Sequence, residues 1–137
     1  RPISPHISRI SPYLARQVGD GDCGATLQAG GRAVLADCAS YALSHPAAAV
    51  AGLCYSVSRG MGGTSGVLYA IFLSSVRAEL ANASLAAAPT SAQMAAAFCA
   101  GAQAVGRYGG ASEGDRTMLD ALLPAAAAFT AAAAEDG

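Results

Sequence analysis

Residues 19–38 read GDGDCGATLQAGGRAVLADC, an acidic glycine turn running directly into a helical repeat. From Gly24 onward, Leu27, Gly31, Val34, Leu35 and Cys38 fall at three- and four-residue steps. That period predicts a helix over about residues 25–43, with Arg32 and Asp37 on its wet side. The turn ahead of it admits two readings. Asp-Gly pairs are ordinary turn formers. Two carboxylates separated by one glycine can also face one hard cation, and Mg²⁺ commonly takes one or two protein carboxylates while phosphates supply the rest. The glycines let the backbone reach positive φ and approach a ligand closely.

The remaining chain repeats the helical period. Ser44-His45-Pro46 breaks the first helix, and Pro46 suits the first turn of a second, over about 47–58. A glycine loop follows at Arg59-Gly60-Met61-Gly62-Gly63. Thr64 and Ser65 are then placed to cap a third helix to about residue 80, with Val67, Leu68, Ile71, Phe72 and Val76 as its apolar set. Pro89-Thr90 opens a fourth helix to about residue 108, and a fifth begins near Asp115. Pro124 falls inside the fifth, where a kink or break is expected. No segment alternates with period two, so the fold class is all-α.

Composition sets bounds on function. With 53% hydrophobic and 12% charged residues, the 137-residue chain has the makings of one packed domain. Alanine is the commonest residue and Trp is absent, so the core should be helical, close-packed and thin. A net charge of −1 gives no electrostatic case for nucleic acid. All eight basic residues are Arg, which excludes lysine chemistry. Cys23, Cys38, Cys54 and Cys99 contain no CxxC pair, so buried free thiols in a reducing compartment are expected rather than zinc or disulfides. No apolar run reaches the ~20 residues that span a bilayer. Residues 1–18 are rich in Arg, Ser and Pro and lack acids, like an organelle transit peptide, although the prolines oppose the usual amphipathic helix. The chain is therefore divided into an extension, 1–18, and a domain, 19–137. Its compartment is expected to be the cytoplasm or an organelle, mitochondrion or plastid. His6 and His45 lie in no catalytic context, and His45 reads as a solvated loop residue.

Three loops each precede a helix, where unpaired N–H groups and a partial positive charge favour anions. They are Gly19–Gly24, Gly60–Ser65 and Gly109–Thr117, and the stretches in and beside them read Gly19-Asp20-Gly21-Asp22-Cys23-Gly24, Met61-Gly62-Gly63-Thr64-Ser65-Gly66-Val67-Leu68-Tyr69, and Gly114-Asp115-Arg116-Thr117-Met118-Leu119-Asp120-Ala121-Leu122. In the third, Arg116 is equally suited to pair with Asp115 or Asp120 and to meet a ligand. In order, spacing and detail the three loops resemble the nucleotide-binding domain of the dihydroxyacetone (glycerone) kinase family.

The resemblance implies an antiparallel helix bundle or barrel, here truncated, with ATP at one end and its phosphates held through Mg²⁺. Asp20 and Asp22 match metal-binding positions. Cys23, Thr26, Gly62, Gly63, Thr64 and Ser65 match the nucleotide-contacting segments, with Ser65 as the leading hydroxyl donor. Arg116, Thr117 and Met118 belong to the motif that borders the adenine. The implied chemistry is phosphoryl transfer, with no residue of this chain acting as acid or base. Implied partners are a nucleotide and either the substrate-binding kinase domain or other subunits that cover exposed apolar helix faces.

Two departures qualify the resemblance. The family places a third metal-binding Asp five residues before Asp20, where this chain has Ala15. Losing one charge-assisted contact of about 1.5–3 kcal/mol implies roughly ten- to a hundredfold weaker metal binding. The family's further helices and its Gly-Arg-Ala-rich loop are also expected beyond Gly137. The alternative reading is accordingly a catalytically impaired, kinase-derived binding or structural subunit of a larger organellar complex, such as one at the mitochondrial membrane. The opening Arg1–His6 similarly resembles the start of the cytochrome b subunit of succinate dehydrogenase, over those six residues only.

Overall fold

The computed structural model describes residues 21–82 and 88–135. Five α-helices account for most of them: α1 (Cys23–Asp37), α2 (Pro46–Gly60), α3 (Gly63–Asn82), α4 (Ser91–Gly109) and α5 (Leu119–Glu135), with a short 3₁₀ turn at Cys38–Ser40. No strand occurs among the described residues. Asp20, Ala15 and the whole of 1–18 lie outside them, as do Arg1–His6.

Residue pairings between neighbouring helices set the topology. Asp37 meets Ser56, and a Cβ on Gly60 would meet Ala33, so α1 and α2 run antiparallel. Cys54 reaches Ala70 and Ser74 while Met61 abuts Gly66, which reverses α3 against α2. Phe72 packs on Phe98 and Leu68 on Gly109, reversing α4. Cys99 reaches Ala126 and Thr130, and Gly106 faces Leu119, reversing α5. Each helix packs on its neighbours in the chain, and α1 also touches α3. The N-termini of α1, α3 and α5 therefore gather at one end. The C-terminus of α4 lies there too.

The core is thin, as an alanine-rich chain requires. Val76, Leu80 and Ala97 form its buried centre, flanked by Ala47, Val50 and Phe72. Phe72, Phe98 and Phe129 stack edge to face at 5.2 and 6.2 Å, tying α3, α4 and α5 together. Small residues bring the backbones close: α4 buries Ala95, Ala97, Gly101 and Ala102.

Several sequence expectations are corrected. The first α-helix ends at Asp37 rather than near residue 43. Its buried seam is Gly30 and Ala33, while Leu27 and Leu35 are 45% and 73% exposed. The reason is close approach: a Cβ on Gly30 would collide with the Met61 side chain, so large residues are kept off that face. Asp37 is not simply on the wet side. It accepts bonds from Ser56 Oγ and Arg59 Nη2, both at 2.6 Å, and the Ser56 hydroxyl comes first among the causes that hold its carboxyl below the ordinary range. Thr64 and Ser65 are not caps, because α3 already begins at Gly63, whose φ is +66°. The fifth helix starts at Leu119 and runs unbroken through Pro124.

Other expectations match. Thr90 caps α4 in a reciprocal box with Gln93. All four cysteines are free, though Cys23 and Cys38 are exposed rather than buried. His45 is exposed and contacts Ser44. Among the described residues no helix is long and apolar enough to cross a membrane.

Candidate functional site

Where the helix N-termini gather, a cavity of about 440 Å³ opens. Its wall includes Cys23 and Leu27 of α1, Thr64, Ser65, Leu68 and Tyr69 of α3, Val105 and Gly109 of α4, and Ala111, Thr117, Met118 and Leu119 around the start of α5. Residues from all three sequence loops thus border one space. Its size lies within the roughly 300–1,000 Å³ of small-molecule sites.

Among the described residues, two of the three helix starts present open donors. The first three N–H groups of a helix have no intrahelical acceptor. Asp22 occupies the cap position of α1 without a side-chain cap bond, its carbonyl accepting from Thr26 N at 2.9 Å. Among the described residues, nothing caps the Cys23, Gly24 and Ala25 amides that lead α1 or the Gly63, Thr64 and Ser65 amides that lead α3. The start of α5 is different. Thr117 Oγ1 accepts from Leu119 N at 3.2 Å, and the Thr117 and Met118 carbonyls accept from Asp120, Ala121 and Leu122. This third helix start is closed upon itself, contrary to the expectation that every loop offers free amides.

The third loop is organised by carboxylates instead. Asp120 Oδ1 accepts from Gly114 N at 2.6 Å and Oδ2 from Thr117 N at 2.9 Å. Those bonds, Gly114 first, hold the Asp120 carboxyl below the ordinary range. Asp115 Oδ2 accepts from Ser112 N at 2.7 Å. Among the described residues, neither carboxylate forms an ion pair with Arg116.

The expected site residues divide accordingly. Cys23, Thr64, Ser65, Thr117 and Met118 border the cavity. Thr26, Gly62 and Arg116 do not, and Gly63 lines a neighbouring groove. Asp22 immediately precedes the cavity residue Cys23 and is exposed. Gly21 beside it has φ of +81°, the positive φ expected of a glycine in that turn. Asp20 lies outside the described residues. Sequence reasoning missed Leu27 and Val105 as site residues, placed Gly109 and Ala111 in the third loop without a role, and left Leu68, Tyr69 and Leu119 as motif members only. Nothing in a hydropathy pattern separates an apolar residue that walls a cavity from one that fills a core.

The lining has the chemistry of a bipartite ligand. Uncapped amides and the Thr64 and Ser65 hydroxyls suit an anion. Leu27, Leu68, Val105, Met118 and Leu119 suit an apolar ring. Among the described residues no Asp, Glu or His borders the cavity. A more open groove of about 490 Å³ runs along the Val67, Ala70 and Ser74 side of α3 and shares Met61, Gly63, Gly66 and Val67 with the second motif.

The family described as the DAK2 domain matches residues 17–137. A protein of Solanum lycopersicum with the provisional name 3,4-dihydroxy-2-butanone kinase is 46% identical over 114 residues, covering 82% of this chain and 19% of its own. Triokinase/FMN cyclase of Mus musculus is 40% identical over 122 residues, 86% of this chain and 20% of its own. Dihydroxyacetone kinase 1 of Saccharomyces cerevisiae is 35% identical over 129 residues, 93% of this chain and 21% of its own. This chain therefore spans about a fifth of the length of these relatives. No solved structure matches it significantly.

Proposed function

The chain belongs to the DAK2 domain family, and from that premise we propose that it is the nucleotide-binding part of an ATP-dependent kinase for a small hydroxyketone. The observation that carries this reading is the convergence of three motif loops on one cavity that pairs open helix-start amides with an apolar wall. The uncapped starts of α1 and α3, with Thr64 and Ser65, hold the phosphate end. Met118, Leu119, Leu68 and Val105 hold the base. Asp22, together with Asp20, supplies oxygen ligands for Mg²⁺. When bound, Mg-ATP supplies the transferable phosphoryl group and the metal charge that neutralises it. The chain's own residues orient the phosphates and exclude water. The names of the relatives support dihydroxyacetone or a related hydroxyketone as acceptor, bound by a separate substrate domain. In this reading residues 19–137 are the domain and 1–18 an extension.

One observation favours the second reading, an impaired kinase-derived subunit: Ala15 stands where the family pattern calls for a carboxylate. An ATP titration with and without Mg²⁺ separates the two. Saturable, Mg²⁺-dependent binding that Asp22→Ala weakens supports the kinase reading. Binding that appears only after Ala15→Asp supports the impaired one. No binding by either protein at millimolar Mg²⁺ refutes a nucleotide site.

A further inference from the structure

We propose that Asp120 is a positioning residue whose carboxylate fixes the Thr117–Met118 wall against the non-phosphate end of the bound nucleotide; this rests on the nucleotide reading above. Asp120 does not border the cavity. An acidic residue in a first helical turn is ordinarily explained by the helix dipole alone. Here the carboxylate has a second engagement, folding back over the preceding loop to accept from Gly114 N and Thr117 N at 2.6 and 2.9 Å. The Arg116 amide also favours the charged form.

The residue enclosed by this clamp explains the need for it. Arg116 has φ of +58°, and no other described non-glycine residue has positive φ. A side chain with a Cβ disfavours that conformation. A carboxylate gathering the surrounding amides holds the turn there. Thr117 then receives the Leu119 amide at 3.2 Å, which locks the turn to the helix start. Met118 and Leu119 enter the cavity immediately after. Because the α5 amides are already bonded, this loop offers shape and apolar contact rather than phosphate donors. Removing the clamp should therefore weaken recognition of the base side while sparing the phosphate side, which α1 and α3 provide.

Asp120→Asn tests this, because it keeps the size, removes the charge and turns one acceptor into a donor facing an amide. The full chain is titrated with Mg-ATP and, separately, with Mg²⁺ and inorganic triphosphate. ATP affinity should fall about tenfold while triphosphate affinity stays within about twofold. Unchanged ATP affinity beside a wild type that binds, or an equal loss for both ligands, overturns the proposal and leaves the nucleotide reading standing. A wild type that binds neither ligand overturns that reading and this one together. A measurement on the wild type needs no variant to fold. Hydrogen exchange at the Gly114 and Thr117 amides should be slower than at Glu113, and equally fast exchange at all three overturns the clamp.

Discussion

At Gly66 an added Cβ would meet the carbonyl carbon of Met61 at 2.9 Å and lie closer still to its oxygen, main-chain atoms that cannot swing aside. Gly31, one helix away, has nothing within 4 Å of the same position. Two identical substitutions should therefore act with opposite sign. Gly66→Ala is expected to cost about 1–3 kcal/mol by overpacking. Gly31→Ala is expected to add about 0.5–1 kcal/mol by removing a helix-interior glycine. Thermal melts of the two variants check this, and a stable Gly66→Ala would contradict the packing. The same contrast shows why the α1 seam was hidden in the sequence. Hydropathy puts Leu27 and Leu35 inside, but a helix crossing this close admits only Gly30 and Ala33. Ser56 was hidden for a related reason. It is fully buried, yet acceptable because Tyr41 donates to it at 2.7 Å while its own hydroxyl donates to Asp37.

Helix boundaries were legible where local chemistry fixes them. Pro46 in the first turn of α2 and the Thr90–Gln93 box of α4 are side-chain signals that need no tertiary context. The starts of α3 and α5 were misplaced because they depend on a positive-φ glycine at 63 and on the Asp120 clamp. The carboxylates at these junctions predict a pH response. Asp120 is held below the ordinary range by the Gly114 and Thr117 amides, and Asp37 by Ser56 and then Arg59. A lowered native pKa stabilises the fold above the unfolded value, about pH 4, and that stability is lost as pH falls through the lower native values. Melting temperature should therefore drop steadily on acidification below about pH 4. The double variant Asp37→Asn/Asp120→Asn should flatten the drop, and an unchanged acid slope would contradict these assignments.

At the scale of the whole chain, up-and-down antiparallel packing places alternate loops at the same end, so three motifs far apart in sequence border one cavity. The helical class and the importance of the three loops were legible from period and glycine chemistry. Their convergence came only as an implication of the family resemblance, because periodicity carries no information on which ends meet. Nor could the sequence say that α1 and α3 start open while α5 starts closed. The proposed nucleotide binds at this end rather than in the groove along the other side of α3. Backbone amide shifts followed by NMR during an Mg-ATP titration test it directly. The largest changes are expected at Cys23–Ala25, Thr64–Ser65 and Thr117–Leu119. Changes centred on Ser58, Val67, Ala70 and Ser74 would contradict it.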